Sequence, residues 1–493
     1  MCSNELDSIE NYRAQALAHI RRESLDLYNR LHSIAEDVQF VTSVAEAYPD
    51  LPILPNLRCG AWYVDPNIAA KEAAYFKSTD GHFNNWSFNL RRPNLHLLPV
   101  VVEHHGFILV DSTRAGKRMP DALSKTVPIW CAVVNRAVKA TFSKDASWDI
   151  ALYTPPGTVS AQEHAQIEAR LDGWADHLVN SSYVLPNLEC PLRPLWITPA
   201  TSAYPQLPPA RERQFFAVIC LSASKQLEEG LERRSNGFSY VQGSGDDHEL
   251  WGMGLTPEIF WTHKDAILSA DRTEIEDLVS ELVAQRSIET RSEWSTLPSP
   301  IKKANSLLLI SRIDDLPSTL PSSLPDSEDA VAYVLISERS QAHFALGDNS
   351  RDPENRSRDV LYTELAEGKK GQMQFLGSVL PQALPFIDAQ LSKGVRVCVC
   401  CGNGKDASVG VALTALQMYF DDDGEFVPPG EARNALEGTA NKKSLSTRLQ
   451  WIITSRPQAN PSRATLKRVN EFLLTPPSLR RRHDANTPPI PIS

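Results

Sequence analysis

No stretch of this 493-residue chain is apolar for long enough to cross a bilayer, which takes about eighteen residues or more. No secretory signal is expected either: the stretch MCSNELDSIENY is acidic and polar where a signal has a basic end and an apolar core. Positive charge is not in excess, since 50 Lys and Arg face 60 Asp and Glu for a net charge of −10. That balance excludes nucleic-acid binding through bulk charge and leaves room only for a local patch. Cysteine is sparse, eight in all and in no regular framework, which argues against a disulfide scaffold and for a reducing compartment. A soluble cytoplasmic protein is expected, with no membrane association and no protein partner implied.

One missing arginine says more. In CVCCGNGKDASVG (398–410) a strand-like run with Val395, Val397 and Val399 leads into Cys401. Gly402, Asn403, Gly404, Lys405 and Asp406 follow, and Ser408 stands near the start of a helix. Backbone N–H groups that converge between a strand and a helix N-terminus bind anions. The stretch resembles the phosphate loop of protein tyrosine phosphatases, and RLQWIITSRPQANPSRATLKRVNEF (448–472) resembles the closing region of the dual-specificity type. Such a phosphatase needs a thiolate, an arginine clamp and an acid for the leaving group. Here Ala407 stands at the arginine's place, and TELAEGKKGQ, where the acid belongs, holds Glu364 and Glu367 but no Asp. A cradle that grips phosphate without cleaving it is expected, or else a remnant kept for packing. Cys398 and Cys400 lack a second pair for zinc and read as buried residues on one strand face.

The first half carries a loop of the same logic. FILVDSTRAGKRMPDAL is an apolar strand, a turn and a helix start at Pro120. Arg114, Lys117 and Arg118 put three cations beside Ser112, Thr113 and Gly116, and a phosphate site is expected there rather than a merely solvated face. YFKSTDGHFNNWSFNLRRPNLHLL (75–98) interleaves Lys77, Arg91 and Arg92 with Tyr75, Phe76, Phe83, Trp86 and Phe88, a mixture suited to RNA, though half-buried strands read similarly. In YVQGSGDDHELW (240–251), Asp246, Asp247 and Glu249 are candidate Mg2+ ligands, or simply a turn and a helix start. Ten Lys or Arg against Glu471 alone between Thr439 and Arg482 predict a basic RNA-facing surface that includes Arg448, Arg456, Arg463, Lys467 and Arg468.

Periodicity predicts helices over 5–37, 160–178, where Ser160 and Glu163 have capping-box spacing, and 273–286. Strands are expected at 106–111 and 213–224. A polar, proline-bearing stretch at 287–304 marks a boundary. Beyond it the order strand (331–337), strand (359–363), helix (378–392, with Pro385 predicting a kink), strand (395–401), helix (408–420) implies a parallel α/β sheet. The expected organisation is an N-terminal mixed α/β domain over 1–290, a phosphatase-like domain over 300–475 with a largely parallel sheet flanked by helices, and a disordered tail over 476–493.

Taken together, YFKSTDGHFNNWSFNLRR, VDSTRAGKRMPDALSKTVPIWCAV, YVQGSGDDHELW and CGNGKDASVGVAL resemble the fungal and plant initiator-tRNA 2′-O-ribosylphosphate transferases. The resemblance implies transfer of 5-phosphoribosyl from phosphoribosyl pyrophosphate, with Mg2+, to the 2′-hydroxyl of a T-stem adenosine of initiator methionine tRNA. Asp111, Asp406, Asp80 and His82 are then the candidates for the base. The competing reading is a non-catalytic, pseudophosphatase-type module that binds phosphate or RNA.

Overall fold

Every residue of GFILVD is buried, so strand β2 (Gly106–Asp111) is apolar on both faces, as a strand covered by helices on each side must be. In the computed structural model it lies in a four-stranded parallel sheet of order β1-β2-β4-β3, with β1 Ile53–Pro55, β3 Leu192–Ile197 and β4 Phe216–Ser222. Alternate residues feed two cores. Phe107 and Leu109 of β2, with Phe216, Val218 and Cys220 of β4, pack on one side under helix α2 (Val127–Phe142). Ile108, Val110, Ile219 and Leu221 pack on the other under helix α1 (Leu27–Ala47).

The residues described are 15, 17–57, 59–114, 116–228, 231–286, 293–325, 329–338, 345–346, 359–366, 368–437 and 439–474. The tail expected over 476–493 lies outside them, as does the start of the helix expected from residue 5. That helix does not run on unbroken to 37. The Asp26 side chain accepts the amide of Asn29 and starts a new helix, α1, which extends to Ala47. The 160–178 segment is likewise two helices, α3 (Ala161–Glu168) and α4 (Leu171–Val179).

The chain divides into two compact units, Met1–Glu289 and Thr290–Ser493. In the second, β5 (Ser299–Pro300), β6 (Leu308–Arg312), β7 (Val331–Ser337), β8 (Val360–Glu364) and β9 (Arg396–Cys401) form a sheet of order β8-β7-β9-β6-β5. All neighbours are parallel except β5 and β6. Helices α5 (Leu380–Leu391), α6 (Ala407–Tyr419), α7 (Lys442–Ser455) and α8 (Arg463–Leu474) complete it, so the phosphatase-like architecture is present.

Pro385 sits inside α5 rather than at a break, and a π-helical segment, Phe375–Val379, leads directly into the helix. A second π segment, Ala122–Thr126, immediately precedes α2, whose first turn holds Pro128. Proline lacks the N–H for the usual helical bond and crowds the carbonyl four residues earlier. For Pro128 and for Pro381, at the start of α5, that carbonyl belongs to Ser124 and Gly377 in the widened turns, which relieves the conflict there but not at Pro385.

Candidate active site

In the first unit the carboxyl end of β2 delivers Asp111, Ser112 and Thr113, all buried, and then the loop bearing Arg114, Lys117 and Arg118, all exposed. Ligands of open parallel sheets bind beyond such strand ends. Asp111 is not a usable base. It is fully buried and its oxygens accept Asn56 Nδ2 (2.9 Å), Cys59 Sγ (3.0 Å) and the Ser112 amide (2.9 Å), so an incoming hydroxyl does not reach it. Its place is to hold the strand end.

Behind the loop lies a polar network with no sequence signature. Ser112 Oγ is 2.6 Å from Ser224 Oγ, which donates to Asp37 Oδ2 at 2.6 Å, and Tyr240 donates to Asp37 Oδ1 at 2.6 Å. Asp37 is wholly enclosed, and burial pushes its carboxyl up to about 8 although both hydroxyls favour the charged form.

The exposed cations meet a second group of residues. Lys117 Nζ lies 2.5 Å from Asp121 Oδ2, and His82 Nε2 is 3.7 Å from the same oxygen. Lys125, buried, bridges Asp121 Oδ1 (2.8 Å) and Glu163 Oε1 (3.1 Å). Burial alone would raise the Asp121 carboxyl, but Lys117 and Lys125 outweigh it and hold it below the ordinary carboxylate range. Lys125 reaches both carboxylates from within the π segment. Gly81 allows the 77–92 loop to close on that segment, since a Cβ there would lie 2.6 Å from the Asp121 carbonyl oxygen.

Two of the sequence-derived candidates neutralise each other. Arg92 Nε and Nη2 donate to Asp80 Oδ2 and Oδ1, both at 2.7 Å, in a buried fork that braces the loop. Asp80 is therefore not a free base, nor Arg92 an RNA contact. Lys77 and Arg91 are half-buried on the same loop. Glu163 also departs from expectation. Ser160 Oγ accepts its amide as a cap should, but the Glu163 side chain turns inward to Lys125 and to Trp86 Nε1 (3.0 Å) rather than completing a capping box. Asp121, Lys125 and Glu163 were missed because each reads locally as a helix-start residue.

Asp246, Asp247 and Glu249 do not converge. Asp246 accepts the amide of Asp247, which itself holds a left-handed backbone (φ 50°), and Glu249 faces solvent beside His248. Among the described residues no three His, Cys, Asp or Glu are grouped to hold a metal ion.

The second unit's loop has the strand-to-helix geometry expected of it, but one of its own side chains fills the role of an anion. Asn403 Oδ1 accepts the amides of Lys405 (2.9 Å) and Asp406 (3.2 Å) and the thiol of Cys401 (3.4 Å), whose Sγ also lies 3.1 Å from Ser408 Oγ. Arg456, expected to face RNA, is buried and donates to the Gly404 carbonyl (2.8 Å) and Ser299 Oγ (3.0 Å). At Gly404 (φ 59°) a Cβ would lie 2.7 Å from that guanidinium. Asp406 accepts the Ser462 amide at 2.8 Å, and so pins the loop to the segment before α8. Burial, then Arg312 and Arg456, lower the Lys405 ammonium. A cavity of about 520 Å³ opens over the loop, and its charged lining is acidic: Asp314, Glu338 and Asp406. Those carboxylates repel a phosphate.

The basic C-terminal surface is also smaller than its composition suggests. Arg448 is 1% exposed and donates to the carbonyls of Leu416 and Phe420, and Arg468 pairs with Glu471. Arg463 and Lys467, four apart on α8, are exposed. No helix among the described residues is long and apolar enough to cross a membrane.

Fold and loops together define a two-unit α/β protein: a parallel-sheet unit with a cationic loop, followed by a phosphatase-like unit without the phosphatase arginine. Residues 20–284 match the family domain described as the Rit1 N-terminal domain, and residues 359–473 match the Rit1 DUSP-like domain. The chain belongs to the Rit1 family. It is 32% identical over 491 residues to the tRNA A64-2′-O-ribosylphosphate transferase of Saccharomyces cerevisiae, covering 92% of this chain and 93% of that protein. It is 35% identical over 454 residues to an uncharacterized protein of Schizosaccharomyces pombe, covering 91% and 94%. Among solved structures, human DUSP28 aligns over 38% of this chain and 99% of its own, at 12% identity and a TM-score of 0.25. At that score the likeness decides nothing further.

Proposed function

We propose that this protein transfers the 5-phosphoribosyl group of phosphoribosyl pyrophosphate to the 2′-hydroxyl of a T-stem adenosine in initiator methionine tRNA, in the cytoplasm, releasing pyrophosphate. The observation that carries the reading is the near full-length similarity to a tRNA A64-2′-O-ribosylphosphate transferase, running through both units. The chemistry of the first unit is compatible with it. Arg114, Lys117 and Arg118 offer the donor phosphates a cationic loop at the carboxyl end of a parallel sheet. Their charge stabilises the pyrophosphate as its bond to ribose C1 breaks and its electron pair leaves with it.

His82 is the base of this reading. Its Nε2 turns to Asp121, which leaves Nδ1 to take the proton of the 2′-hydroxyl as that oxygen bonds to C1. Asp121 stands 3.7 Å from Nε2, beyond hydrogen-bond reach, and sets a carboxylate charge beside the ring. Lys125 and Glu163 hold Asp121 in place. Mg2+ belongs to the reading as the companion of the donor's pyrophosphate. The second unit serves as a scaffold and, through Arg463 and Lys467, as a contact for RNA phosphate.

The test is incubation with radiolabelled phosphoribosyl pyrophosphate, Mg2+ and either initiator or elongator tRNA. Label on initiator tRNA alone is expected. Tight RNA binding with no label would replace the reading with a non-catalytic binding module.

A further inference from the structure

Directly after His82 the chain exposes Phe83, whose relative exposure is 65%. Among the described residues no other Phe or Trp is so placed; the remaining exposed large apolar side chains are aliphatic, apart from Tyr362 in the second unit. An open phenyl ring forgoes about 2 kcal/mol of burial, so its position at a loop tip is not set by stability. A lone exposed apolar side chain is ordinary on a protein surface. The mounting of this one is not ordinary.

The ring stands edge-on to Trp86, with centroids 5.5 Å apart and planes at 82°. Trp86 is itself buried, with its Nε1 donating to Glu163 Oε1 and the Arg170 guanidinium over its ring at 5.0 Å. Glu163 is the same carboxylate that Lys125 ties to Asp121. The loop beneath is fixed by the Asp80–Arg92 fork, by Asn85 Nδ2 donating to the Thr79 carbonyl (2.8 Å), and by Asn84 in a left-handed turn. The exposed ring and the His82–Asp121–Lys117 group therefore share one support.

We infer that Phe83 is a stacking platform for a nucleobase of the RNA substrate, at or next to the nucleotide whose hydroxyl reacts. Three features select this occupant. A flat ring offered at a loop tip suits the face of a base, which has no sequence requirement and no need of hydrogen bonds. The exposed cations of the adjoining loop, Arg114, Lys117 and Arg118, would hold the donor alongside the ring, so the group stacked there belongs to the acceptor nucleotide rather than to an apolar peptide. The imidazole one residue away supplies the proton acceptor that the base's own ribose requires. The inference rests on the proposed RNA substrate and adds to it the group that positions the nucleotide.

The experiment uses the full chain with Phe83→Ala and Phe83→Trp. It reads the affinity for fluorescently labelled initiator tRNA, the affinity for phosphoribosyl pyrophosphate, and KM against kcat for transfer. Phe83→Ala should weaken tRNA affinity and raise its KM by roughly tenfold or more, the scale of one lost base stack. Donor affinity should be unchanged, and Phe83→Trp should stay within about twofold of wild type. Wild-type tRNA affinity in Phe83→Ala overturns the inference, as does an equal loss in the Trp variant or a parallel loss of donor affinity, since both mark the ring as structural. A wild-type chain that binds no tRNA removes the RNA reading itself, and the stacking role with it. A chain that modifies tRNA equally well without the ring removes only the stacking role.

Discussion

Two loops of this chain follow a buried parallel strand and carry Gly, Lys and hydroxyl residues, yet they meet opposite fates. After β2, the cations at 114, 117 and 118 stand exposed and the polar contacts of the buried residues run backwards, into Asp37, Asn56 and Cys59. After β9, the N–H groups that could cradle a phosphate turn onto Asn403 Oδ1, burial and the nearby Arg312 and Arg456 disfavour the charge of Lys405, and the cavity over the loop is lined by carboxylates. Similar loop chemistry thus produces an open cationic rim in one unit and a self-satisfied turn in the other. An anion site needs converging donors that a side chain of the loop itself has not already satisfied, as Asn403 has here.

The contrast can be broken most severely at the first loop's base. His82→Ala should cut transfer by about 10²- to 10⁴-fold while tRNA and donor binding persist, measured in single-turnover assays. Asp121→Asn should follow with a smaller loss, because it removes the carboxylate charge that stands beside His82 and that Lys117 and Lys125 share. A smaller effect is expected from the cations. Lys117→Ala with Arg118→Ala should weaken donor binding roughly tenfold to a hundredfold by calorimetry, two charge-assisted contacts being lost. Lys405→Ala with Asp406→Ala should leave donor binding unchanged; a loss confined to the second pair would reverse the roles of the two loops.

A gain of function sharpens the comparison from the other side. Asn403→Ala combined with Ala407→Arg should give the second loop measurable tungstate or vanadate binding, and the wild-type loop should give none in the same titration. Ala407→Arg alone should create no phosphoester turnover. The smallest effect concerns stability. Asp37 is held as the neutral acid up to about pH 8, whereas in the unfolded chain it ionises near the ordinary value of about 4. The folded state therefore binds the extra proton between those values, and stability falls as pH rises through that window and levels off above about 8. Asp37→Asn, which keeps the shape without the titration, should flatten that slope by a few degrees of Tm between pH 5 and 8.

Much of the architecture was readable in advance. GFILVD is a strand over the predicted residues, and the 331–337 strand, the strand into Cys401 and the helix after it fall within a residue of expectation. These segments are apolar on both faces and bounded by glycine or polar turns, so their information is local. The reading failed where one residue had two plausible uses. Glu163 has the right spacing for a capping box but serves Lys125, and Arg448 belongs to a basic run but is buried, donating to two carbonyls and pairing with Asp422. Asp26 begins a new helix inside a stretch whose apolar periodicity runs straight through it.

From the amino-acid order alone come the largely parallel sheet of the second unit, the α/β character of the first, the two loops after β2 and β9, the basic character of the C-terminal stretch, and the missing arginine at Ala407. Those features depend on side-chain period and on neighbours a few residues apart. Only the folded chain decides that Asp121 gathers His82, Lys117 and Lys125, that Trp86 finds Glu163 77 residues on, and that Asp37 is sealed against Ser224 from 187 residues away. Whether a polar group is spent or available depends on which distant partner the packing brings to it, and no local pattern encodes that choice.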